Sequence, residues 1–72
     1  MKELLRSNDP VRLSWLVSLL AGERIEAMIW DTHTSIVEGS ISAIPRRLMV
    51  SDTDYSRARW VLIKAGEMAE DD

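Results

Sequence analysis

The sequence predicts an α+β fold, a two-layer βαββα sandwich in which three antiparallel strands in the order 1-3-2 carry two helices on one face. Three observations lead there. Two segments repeat apolar residues at helical spacing, and others alternate them at strand spacing. Each helical segment also opens on residues that cap free backbone N–H groups. At 72 residues the chain holds one domain. A core of that size supplies only about 3–5 kcal/mol.

Lys2 to Arg6 reads as a short first strand, ended by Ser7-Asn8-Asp9-Pro10. Asp9 caps the helix that follows, and Pro10 at its first position gives up no hydrogen bond. Leu13, Leu16, Val17 and Leu20 then fall at i, i+3, i+4, i+7, one buried stripe. Gly22 is the expected left-handed terminator. In Ile25 to Asp31, the second strand, Ile25, Ala27 and Ile29 share one face and Glu26, Met28 and Trp30 the other. Thr32 to Pro45 is a long connection rich in Ser, Thr and Gly. Arg46 to Ser51 is the third strand, with Leu48 and Val50 on one face and Arg47 and Met49 on the other. Ser51-Asp52-Thr53-Asp54 resembles a capping box with Asp in place of Glu. The second helix buries Ala58, Val61, Leu62 and Ala65, flanked by Tyr55, and stops near Gly66.

A right-handed crossover puts the third strand between the first two, so that every pair is antiparallel. The result is a ferredoxin-like arrangement lacking its last strand, with the first strand on an open edge. Residues 1–66 form the domain, and 67–72 form an acidic tail expected to fray.

Composition removes several classes of function. The absence of cysteine excludes disulfide scaffolds, thiolate metal sites and thiol catalysis, and a single histidine excludes a two-His motif. The net charge is −3, and four of the twelve acids fall in the last six residues, leaving the body near neutral. No basic field attracts a polyanion, so nucleic acid is not an expected partner. No apolar run is long enough for a membrane span or a signal peptide, and the cytoplasm is the expected compartment.

Ser7-Asn8-Asp9-Pro10-Val11, the passage from Gly22 to Ala27, the His33 to Gly39 loop, Pro45-Arg46-Arg47-Leu48-Met49-Val50 and the acidic cap before Ala58-Arg59 together resemble one family. The chain is similar over roughly residues 2–66 to the small bacterial domain of unknown function called putative prokaryotic signal-transducing proteins. That resemblance implies a ferredoxin-like, PII-like βαββα core, and it brings no catalytic residues.

Two groups of residues are candidates for function. Met28, Trp30 and Met49 lie on the sheet face that no helix covers, where large apolar side chains suit a protein partner or a second copy. Trp15 and Trp60 lie opposite the buried stripes of their helices. The second group is His33, Glu38, Gly39, Arg46 and Arg47, a loop-and-strand region that an anion or metabolite would occupy. Against a phosphate there, Asp52 and Asp54 already fill the nearby helix N-terminus, and alternation sends Arg46 and Arg47 to opposite faces. One histidine among scattered carboxylates makes neither a metal site nor an acid–base pair, and no serine sits beside an activating base. The expectation is a non-enzymatic interaction or regulatory module with no cofactor and no metal. It self-associates or binds a protein through the sheet face, and a small-ligand sensor is the alternative.

Overall fold

The computed structural model describes residues 1–31 and 45–70. Its elements are β1 (Lys2–Ser7), α1 (Pro10–Gly22), β2 (Ala27–Asp31), β3 (Arg46–Val50) and α2 (Tyr55–Lys64), the last preceded by a 3-10 turn at Asp52–Asp54. The sheet order is β1-β3-β2 with both pairings antiparallel, as the sequence predicts. The candidates His33, Glu38 and Gly39 lie outside the described residues.

Asp9 caps α1, its Oδ1 accepting from the backbone N–H groups of Val11 at 3.0 Å and Arg12 at 3.2 Å. Leu13, Leu16 and Leu20 of α1 meet Ala58 and Leu62 of α2 over Leu48 and Val50 of β3, all fully buried. Both helices therefore cover the same side of the sheet. Ala65, expected in the buried stripe of α2, is exposed because it already lies past the last helical residue.

Three local details depart from the expected pattern. In β1 a bulge between Glu3 and Leu5 shifts the register against β3, and Leu4 and Leu5 both reach the core. Strict alternation would have turned one of those leucines outward. Ile25 precedes β2 instead of starting it, and is buried by its place at the end of α1. There, Ile25 N–H donates to the Leu20 carbonyl and Arg24 N–H to the Ala21 carbonyl, a Schellman cap. The left-handed position falls on Arg24 at φ 62°, not on Gly22. What fixes it is the apolar contact of Leu20 with Ile25, which places the turn one residue before Ile25.

The end of α2 repeats this motif with the expected residue. Glu67 N–H donates to the Leu62 carbonyl and Gly66 N–H to the Ile63 carbonyl, with Gly66 at φ 79°. The tail is tied down at its start, since Met68 packs on the core and Glu67 meets Arg12. The two caps give opposite expectations. Arg24→Gly should relieve left-handed strain and raise stability by about 0.5–1 kcal/mol, a melting rise of about 2–6 °C. Gly66→Ala should lose about 1 kcal/mol through the backbone alone, because nothing lies within 4 Å of the added Cβ. Thermal melts of both variants check this; an Arg24→Gly protein melting below wild type would contradict it.

Candidate functional site on the sheet face opposite the helices

Pairing with β3 sorts the side chains of that face into two cross-strand rows. Glu3, Met49 and Met28 form one, and Arg6, Arg47 and Trp30 the other. The alternation read from the sequence thus does bring Met28, Trp30 and Met49 onto one face. Their exposures differ sharply. Met28 is 47% and Trp30 38% exposed, whereas Met49 is only 4% exposed.

Met49 therefore needs correcting as a contact residue. It lies on the central strand with Glu3 on one side and Met28 on the other, and it forms the floor of the surface. Alternation says which face a side chain joins but not how much of that face is covered. A central-strand residue has neighbours on both sides and an edge residue on one. Apolar surface available for contact is accordingly concentrated toward β2.

The second row carries both cations of this face. Arg6 Nε pairs with Glu3 Oε2 at 2.9 Å, closing a local ion pair on β1. The Arg47 guanidinium lies 5.6 Å from the centre of the Trp30 ring, within cation–π range. Its Nε is buried and has no hydrogen-bond partner among the described residues. Such a donor loses water without regaining an acceptor, and an arriving oxygen can reach it only when the Arg47 side chain turns outward.

Arg46 is paired in register with Ser7 and Asp31, in the rows facing the helices, so the two arginines do lie on opposite faces. Asp52 and Asp54 occupy the 3-10 turn ahead of α2. Ser51 Oγ accepts from Asp54 N–H at 3.3 Å, while the Asp54 carboxylate turns to Arg57 at 3.1 Å. An anion at that helix start would face two carboxylates.

One exposed residue escaped the sequence reading. Ile29, assigned to the core face with Ile25 and Ala27, is 39% exposed. With Ile25 belonging to the cap of α1, the inward row of β2 begins at Ala27, and Ile29 lies on an edge strand beyond the main cluster. The usable signal was the run Ala27-Met28-Ile29-Trp30, four apolar residues in a row where a half-buried strand alternates.

Elsewhere, Trp15 and Trp60 are each about half exposed, at 49% and 53%. Trp60 and Lys64 border a shallow cleft of about 320 Å³ between the helices, with Leu19, Glu23, Val61 and Ala65. Among the described residues no group of three or more His, Cys, Asp or Glu side chains is placed to hold a metal ion, and no helix is long and apolar enough to cross a membrane. Compared with known families, residues 1–66 match the family model described as putative prokaryotic signal transducing protein, a match that spans every element of the fold. No curated protein matches the chain.

Proposed function

The chain belongs to the family of putative prokaryotic signal transducing proteins, and on that premise we propose that it is a non-enzymatic interaction module whose contact surface is the open sheet face near β2. The observation that carries this reading is the exposure of Met28 and Trp30 side by side on that face, over a floor made by Met49. Large apolar side chains left partly uncovered contribute most when a partner buries them. Arg47 beside Trp30 adds a cation to this face, favouring a partner that offers an oxygen acceptor to the guanidinium. A domain this small also gains stability from association, because binding to the folded state alone shifts the folding equilibrium.

Sedimentation equilibrium on wild type beside Trp30→Ser tests the reading. Wild type should exceed its 8.2 kDa monomer mass at high micromolar concentration, and Trp30→Ser should return to it. Trp30 is not among the core residues, so the variant should keep its far-UV circular dichroism. A variant that associates as wild type does would remove Trp30 from the interface.

The second reading, a sensor for a small anion or metabolite, rests on the Arg47 guanidinium on the open face beside Trp30. A saturable rise in melting temperature with one metabolite class, lost in Arg47→Ala, would favour it. No response across a broad panel would count against it.

A further inference from the structure

The two edges of the sheet are unequally guarded. A strand edge presents unpaired N–H and C=O groups that template pairing with another chain, and proteins blunt such edges with charge and bulges. β1 has both devices: Lys2, Glu3 and Arg6 along its length and a bulge between Glu3 and Leu5. β2 has no bulge, its pairing with β3 being regular from Ala27 to Asp31, and its one charged residue, Asp31, falls at the strand's end. Its centre is Met28, Ile29 and Trp30, three consecutive apolar residues each more than a third exposed. Since neighbours in a strand point to opposite faces, the apolar surface wraps around the edge instead of lying on one side.

We propose that β2 pairs with β2 of a second copy, antiparallel about a two-fold axis at Ile29, joining two three-stranded sheets into one of six strands. This rests on the reading of β2 as the contact region and sets the second copy along its edge, where Met28 and Trp30 of the open face meet across the new pair. The strand's sequence is what selects a second copy. About an axis at Ile29, Ile29 faces its own mate on the helix side, Met28 faces Trp30 of the other copy on the open side, and Ala27 faces position 31. Every central pair is then apolar, thioether meets indole twice, and no charge lies directly opposite a like charge. Shifting the axis one residue, to Met28 or to Trp30, leaves one of these side chains opposite a strand end. Met28, Ile29 and Trp30 expose on the order of 250–300 Å² per copy. Two copies therefore bring about 500–600 Å² of this surface together, well below the roughly 1,200 Å² of a stable interface, so the expected dimer is weak and concentration-dependent.

The absence of native cysteine makes a direct test clean. Across an antiparallel pair, opposite Cα atoms lie about 4.5–5.5 Å apart, within disulfide range. Ile29→Cys should oxidise readily to a disulfide-linked dimer. Arg6→Cys on β1 should not, and Trp30→Cys, which faces Met28 and not itself, should cross-link far less. By sedimentation, Ile29→Lys should weaken the dimer at least about tenfold by setting two ammonium groups face to face. A wild type that stays monomeric at high micromolar concentration overturns the proposal. So does equal cross-linking of the three cysteine variants. A dimer lost in Trp30→Ser but unaffected by Ile29→Lys would also overturn it, while leaving the sheet-face reading standing.

Discussion

Leu48→Ala is expected to leave the domain largely unfolded at 25 °C. Leu48 is fully buried on the central strand, paired in register with Leu5 on one side and Ile29 on the other, beneath both helices. Leu→Ala changes at such sites cost about 3–5 kcal/mol, the lost transfer energy plus a cavity term. A chain of this length has about 4–10 kcal/mol of total stability, with the lower end expected for a small core. The variant should show a weak or absent cooperative melt and a far-UV spectrum losing helix. Met28→Ala removes a similar amount of side chain from the exposed face and should stay within about 0.5 kcal/mol of wild type in dilute solution. Urea titrations of the pair check both, and a Leu48→Ala protein within 1 kcal/mol of wild type would contradict the core assignment.

That contrast marks where the sequence was legible. Leu13, Leu16 and Leu20 on α1 and Ala58 and Leu62 on α2 stood out because helical period is a local property of the chain. The strand order followed from the run of elements, since β1-α1-β2 is a crossover between parallel strands that leaves room for β3 between them. What the sequence hid was nonlocal. Gly22 attracted the terminator role by composition, yet the turn fell at Arg24 because Leu20 and Ile25 had to meet across it. Met49 and Met28 share a face and a residue type, but one sits mid-sheet and the other on an edge, so only Met28 is exposed. The adjacent Leu4 and Leu5 carried the one readable hint of the bulge, as two neighbouring apolar residues cannot both face the core of a regular strand.

Arg12→Ala should produce the second large effect, and its cause lies in how the helices hold each other. Each helix carries an arginine three residues into its first turn, and each arginine reaches the far end of the other helix. Arg57 Nη1 donates to the Glu23 carbonyl just past α1, at 3.3 Å. Arg12 makes two bonds past α2, from Nε to the Glu67 carboxylate at 3.1 Å and from Nη2 to the Glu67 carbonyl at 3.1 Å. Both place a cation against the negative end of a helix, and both satisfy a carbonyl near a helix end. The two contacts differ in weight. Arg12 is partly buried and grips carboxylate and carbonyl together, so its removal should cost about 1–2 kcal/mol. Arg57 is more exposed and already shared with Asp54, so Arg57→Ala should cost no more than about 0.5 kcal/mol. Arg12→Lys should recover less than half of the loss, because one ammonium cannot span both acceptors of the fork. The clasps lie at opposite ends of a helix about 20 Å long, so the double variant should be additive within about 0.5 kcal/mol. Chemical denaturation of the four variants beside wild type decides it, and an Arg12→Lys variant as stable as wild type would show that charge alone, not the two-point grip on Glu67, closes the helix pair.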